Sequence, residues 1–185
     1  MTSPDIDARA AGIRLVLFDV DGVLTDGRVA IHADGTESKS FAIRDGIAMV
    51  WAQRYGIKVG FLSARLSATT PHRAAQLGVT LVYHGVTSKL ATYERILADL
   101  GLRDADVAYM GDDIVDIAVL SRVGLATAPA DAVAEVQSRV HWVTAAAGGA
   151  GAARELIERI LRVQGHWNAV IASYENEPRE IGSPA

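Results

Sequence analysis

Short apolar runs rich in β-branched residues recur along the chain at 15–18, 58–62, 79–83, 107–110, 124–128 and 141–143. Between them lie stretches whose apolar positions follow a helical period, at 47–55, 70–77, 89–100, 114–122, 132–139 and 152–164. Several of these end at a glycine, Gly56, Gly78, Gly101 or Gly165, as helices do when a left-handed residue closes them. Near-continuous apolar strands are covered on both faces, and strands alternating with helices give a βαβ rhythm. The pattern therefore predicts an α/β fold with a doubly wound, mainly parallel sheet. Its strand-end loops gather along one edge, where such sheets bind ligands.

One stretch departs from that rhythm. Two short extended runs, 28–32 and 37–41, flank Ala33-Asp34-Gly35-Thr36, and Asp-Gly between such runs signals a β-hairpin. A hairpin insertion is expected over 27–42. Two-stranded hairpins are marginal alone in water, so this one should pack against its own domain or against another subunit. The expected organisation is a flexible N-terminus over 1–12, a single domain over 13–165, and a C-terminal helix with a flexible tail over 166–185. The tail contains Pro178, Gly182 and Pro184 and has little to bury.

Length and composition narrow the classes. The 185 residues suit one domain with a sizeable core. Half of them are hydrophobic, 22% are charged and the net charge is -4, so no basic stripe offers itself to nucleic acid. Cysteine is absent, which excludes disulfides and thiolate metal sites. Residues 1–12 carry Asp5 and Asp7 and lack a secretory pattern, and no segment is apolar for long enough to span a bilayer. A cytoplasmic protein with no membrane partner is the expectation.

The chemistry is concentrated where the apolar runs stop. Leu15-Val16-Leu17-Phe18 runs into Asp19-Val20-Asp21-Gly22, and in an extended chain Asp19 and Asp21 would point the same way. Ser63 follows the second run, Lys89 follows the third, and Asp112-Asp113 follow the fourth. Carboxylates suit Mg²⁺, while a hydroxyl and an ammonium suit the oxygens of a phosphate. With its charge offset by Mg²⁺ and Lys89, Asp19 can attack a phosphoryl group. Asp21 can then protonate the leaving alcohol and later activate water. Each residue alone has a plainer role, such as Asp113 and Asp116 neutralising a helix N-terminus. Their order along the chain favours catalysis.

That order resembles the haloacid dehalogenase-like phosphohydrolases, with Asp19-Val20-Asp21-Gly22-Val23, Ser63, Lys89 and Gly111-Asp112-Asp113 matching their motifs over about 13–164. The resemblance implies a Rossmann-like core. It makes Asp19 the nucleophile and a Mg²⁺ ligand, Asp21 the acid/base and a ligand through its backbone carbonyl, and Asp112 a further ligand. Asp113 and Asp116 would support these, and Ser63 and Lys89 would hold the phosphoryl group. Phe41-Ala42-Ile43-Arg44-Asp45-Gly46, Leu62-Ser63-Ala64-Arg65, Ser88-Lys89 and Gly148-Gly149-Ala150-Gly151-Ala152 look like the 3-deoxy-D-manno-octulosonate 8-phosphate phosphatases. That group implies no cap domain, a homotetramer built through the hairpin, and a sugar-acid phosphate substrate. Arg65 and Arg73 are candidates for its carboxylate, because guanidinium forks match carboxylates. Three alternatives remain open: a nonulosonate 9-phosphate or other small-ester phosphatase, a non-catalytic assembly or regulatory subunit, and a phospho-accepting receiver domain. Lys89 preceding Asp112-Asp113 argues against the last.

Overall fold

The computed structural model describes residues 4–175, so most of the expected flexible tail lies outside the described residues. Six parallel strands form the main sheet in the order β5-β4-β1-β6-β7-β8: β1 (Leu15–Phe18), β4 (Lys58–Ser63), β5 (Leu81–His84), β6 (Val107–Met110), β7 (Leu125–Ala128) and β8 (Trp142–Val143). Alternation sorts each strand between two apolar layers. Val16, Phe18, Val59, Phe61, Ala108 and Met110 face one layer; Leu15, Leu17, Leu62, Val107 and Tyr109 face the other.

The first layer is covered by α1 (Pro4–Ala11), α2 (Ile43–Arg54), α3 (Thr69–Gln76) and α7 (Ala152–Val163). The second is covered by α4 (Lys89–Leu100), α5 (Ile117–Leu120) and α6 (Ala134–Gln137). A last helix, α8 (Trp167–Glu175), packs on α7. No helix of the described residues is long and apolar enough to cross a membrane. Between β1 and β4 lie only the hairpin and α2. Between β5 and β6 lie only α4 and a short 3-10 turn, so the described chain has no cap domain.

Three local expectations change. Of the segment before Ile13, Pro4–Ala11 is helical rather than flexible: Ile6 and Ala10 are buried, α1 lies against α7, and Arg9 donates to the carbonyl of Gly124. The helix expected over 114–122 breaks into a 3-10 turn, Ile114–Asp116, followed by the single turn of α5. There the Asp116 side chain folds back to accept the backbone N–H groups of Asp112 and Asp113, which tightens the turn. Helix α2 begins at Ile43, four residues before the expected start, and carries Gly46 in its interior. A side chain at that glycine would meet the Arg73 guanidinium at 2.5 Å.

The hairpin forms as β2 (Ala30–Ile31) and β3 (Glu37–Ser38), antiparallel, with Ile31 opposite Glu37. Asp34 closes its turn by accepting from both the backbone N–H and the hydroxyl of Thr36. It docks on its own chain through Lys39 and Glu37.

Candidate active site

Strand register sets the site. Phe18 lies beside Phe61 of β4 and Met110 of β6, so the residues just beyond these positions emerge together at the carboxyl edge of the sheet. Asp19 leaves β1 there, its N–H bonded to the carbonyl of Met110 at 3.0 Å. The chain then turns at once, around Thr25. Its buried hydroxyl accepts from the N–H groups of Gly22 and Gly27 and donates to the carbonyl of Val20. Because the strand has ended, strand alternation does not carry past Phe18, and Asp19 and Asp21 do not share a partner. Asp19 faces Lys89, whereas Asp21 faces Lys39.

Lys89 occupies the first turn of α4, which Ser88 caps by accepting from the N–H of Ala91. Its ammonium is buried and lies 2.6 Å from Asp19 Oδ1 and 2.6 Å from Asp116 Oδ1. Burial works against that charge, but the two carboxylates outweigh it and hold the Lys89 pKa above its ordinary value. Asp116 is fully buried and fully engaged: besides Lys89 it accepts from the Tyr109 hydroxyl at 2.5 Å and from two backbone N–H groups. Burial, then the charge of Asp116, pushes the Tyr109 phenol well above its ordinary pKa, so it remains a donor.

The carboxylate oxygens of Asp19, Asp112 and Asp116 can be chosen within 4.8 Å of one another. Asp112 Oδ1 is buried and has no hydrogen-bond partner among the described residues. Burial, followed by repulsion from Asp19 and Asp116, raises the Asp112 pKa to about 8; burial raises Asp19 to about 6 even against Lys89. Closely set, partly unsatisfied oxygens are what a hard divalent cation neutralises, so this donor set fits Mg²⁺. Asp116 is occupied by other donors and Asp19 carries Lys89 on one oxygen, so Asp112 offers the unpartnered ligand atom of the set.

The remaining expected residues divide. Ser63 ends β4, buried, with its hydroxyl oxygen accepting from the N–H of Arg65 at 3.2 Å. Asp113 is exposed and caps the following turn by accepting from the N–H of Ile114. Arg65 lies at the hairpin, its Nη2 2.6 Å from Glu37 Oε2. Arg73 is not brought to the cluster. Its guanidinium donates to the carbonyl of Ala42 and to Gln76 and packs over the ring of Phe41, so it braces the start of α2. Sequence reasoning missed Lys39, Thr25 and Tyr109. Lys39 follows directly on the hairpin strand Glu37–Ser38, and no local pattern marks its partner.

A family model for haloacid dehalogenase-like hydrolases matches residues 73–156. The 3-deoxy-D-manno-octulosonate 8-phosphate phosphatase KdsC of Escherichia coli K12 is 40% identical over 163 residues, covering 88% of this chain and 87% of the relative. The crystal structure of the octulosonate 8-phosphate phosphatase from Yersinia pestis superposes with a TM-score of 0.89 at 38% identity, covering 90% of each chain. The enzyme of that name from Moraxella catarrhalis, solved in complex with a magnesium ion, a phosphate ion and a KDO molecule, gives 0.91 at 31% identity over 94% of this chain and 99% of the other. With the acid cluster and lysine at the strand ends, these similarities show that the chain belongs to the haloacid dehalogenase-like hydrolases, in the 3-deoxy-D-manno-octulosonate 8-phosphate phosphatase family, and is a phosphatase.

Proposed function

We propose that this chain hydrolyses 3-deoxy-D-manno-octulosonate 8-phosphate, or a closely similar sugar-acid phosphate, in a Mg²⁺-dependent reaction through an aspartyl phosphate on Asp19. The observation that carries the reading is Lys89, buried between Asp19 and Asp116 beside the unpartnered oxygen of Asp112. On this reading a nucleophile, a fixed positive charge and a cation's ligands share one point of the sheet edge. Asp19, Asp112 and the backbone carbonyl of Asp21 would hold the ion, which when bound supplies charge neutralisation for the phosphoryl oxygens. Ser63 and Lys89 orient the phosphoryl group. Asp19 attacks phosphorus, Asp21 gives a proton to the departing alcohol, and Asp21 as a carboxylate then takes a proton from the water that opens the acyl phosphate.

The substrate assignment is supported by the names of the relatives and by the cationic Arg65 at the hairpin. Arg73 has no part in it. The setting we propose is the cytoplasm, with a small-molecule substrate and no nucleic-acid or membrane partner. We also propose a homotetramer through the hairpin. Ile31 on the hairpin, Leu66 after β4 and Ile114 and Val115 after β6 are all more than half exposed, and apolar side chains so placed around one edge favour a partner surface.

Phosphate release with and without Mg²⁺ tests the reading, on a panel of octulosonate 8-phosphate, nonulosonate 9-phosphates and hexose phosphates. Preference for the octulosonate ester supports it. Preference for another ester retains the chemistry and discards the substrate, and release that survives Asp19→Asn removes the nucleophile.

A further inference from the structure

Lys39 takes no part in the chemistry described so far. Its side chain is fully buried, and its ammonium lies 2.6 Å from Asp21 Oδ1. Both Asp21 carboxylate oxygens are shielded from solvent, and neither has a hydrogen-bond partner among the described residues. The approach of Lys39 lacks hydrogen-bond alignment as well, so the pairing is ionic; it is the one ion pair on that carboxylate among those residues, and Arg65 acts on it only as a more distant charge. Taking an ammonium out of water is costly unless an opposite charge meets it, so the site holds Lys39 against Asp21. Glu37, two residues earlier in β3, meets Arg65 and the hydroxyl of Ser67. The hairpin is thereby tied to the turn after β1 by one ion pair and to the loop after β4 by another.

We propose that Lys39 is a positioning residue for Asp21: it holds the Asp21 carboxyl group where the leaving oxygen of the phosphoester departs, and so couples docking of the hairpin to proton transfer. The inference rests on the acid/base role proposed for Asp21. In the step concerned, a bond forms between an Asp19 oxygen and phosphorus, the bond from phosphorus to the alcohol oxygen breaks, and the proton on Asp21 passes to that oxygen. Lys39 keeps its own protons, and its charge stays beside the carboxylate that results. Asp21 sits in a turn and has no other side-chain tie among the described residues, so without Lys39 its carboxyl would be free to rotate away from the leaving group.

The test is the dependence of kcat/KM on the leaving group, across aryl phosphates of similar size from phenyl to 4-nitrophenyl phosphate. A nitrophenolate departs without a proton, whereas a poorer leaving group needs one, so loss of a positioned acid steepens the dependence. Lys39→Met is expected to lose about tenfold more on phenyl phosphate than on 4-nitrophenyl phosphate, Asp21→Asn about 100-fold more, and Lys39→Arg to return toward the original slope. Circular dichroism and thermal melting establish that each variant folds, and Lys39→Gln carries the same comparison if Lys39→Met does not. Equal fractional losses across the series for the Lys39 variants, with the slope steepened in Asp21→Asn, would overturn the role of Lys39 alone. An unchanged slope in Asp21→Asn would overturn the acid/base reading and this inference with it.

Discussion

A side chain on Gly22 would collide with the carboxylate of Asp112. The turn after β1 and the turn after β6 thus approach as closely as backbone against side chain allows, which brings Asp112 into the acid cluster with Asp19 and Asp116. Gly22 also has φ +94°, a conformation that L side chains disfavour.

Gly22→Ala is therefore expected to displace Asp112. Strain at that φ costs about 1–2 kcal/mol, and misplacing a reacting group by about 1 Å costs about 100-fold in rate. Thermal melting together with Mg²⁺-dependent turnover checks this, and a variant with unaltered turnover contradicts the close approach.

The carboxylates of the cluster make stability depend on pH and metal together. Their pKa values in the folded, metal-free protein, about 6 for Asp19 and about 8 for Asp112, lie above the ordinary value of 3.8. The folded state therefore binds more protons than the unfolded state between those limits. Stability contributed by these groups falls as pH rises from about 4 to about 8. Mg²⁺ takes the place of the protons, so its stabilising effect should grow over the same range. Melting temperatures with and without Mg²⁺ at pH 6 and pH 8 are expected to differ more at pH 8, and Asp112→Asn is expected to flatten that difference. An equal Mg²⁺ increment at both pH values would count against the cluster as the ion's site.

Asp45, buried in the first turn of α2, caps a helix whose N-cap residue, Gly151, lies 106 residues later. Its carboxylate accepts from Gly151 N–H at 3.3 Å and Arg154 N–H at 2.8 Å, doing for α7 what the side-chain-less Gly151 cannot. Burial raises its pKa despite those two bonds. Asp45→Ala is expected to lower stability by about 1–2 kcal/mol, with Asp45→Asn keeping part of the cap. Urea unfolding of the three proteins checks the order. The capped helix also steadies the loop before it, where Gly149 N–H meets the carbonyl of Val23 beside the site.

Arg65 and Glu37 form a part-exposed ion pair, of a kind that contributes under about 1 kcal/mol to stability. Arg65→Ala should consequently melt close to the parent protein. It is expected to raise KM for sugar-acid phosphates more than for 4-nitrophenyl phosphate. Equal effects on both substrates would remove Arg65 from substrate choice.

Much of this was readable from the chain. The apolar runs ending in Asp19, Ser63 and Asp112, and the helix opening at Lys89, are local patterns, and strands covered on both faces must be continuously apolar wherever they pack. A parallel sheet then brings their ends to one edge, so the residue types gathered at the site followed from sequence order alone. What only the tertiary structure decided is how those groups pair. Alternation stops when β1 ends at Phe18, so Asp19 turns to Lys89 and Asp21 to Lys39; Asp116 is occupied by Tyr109, Lys89 and two backbone donors; Arg73 braces α2. Periods of 2 and 3.6 residues report which face a side chain takes on its own element. They carry no information about the partner that a distant segment supplies to satisfy a buried charge.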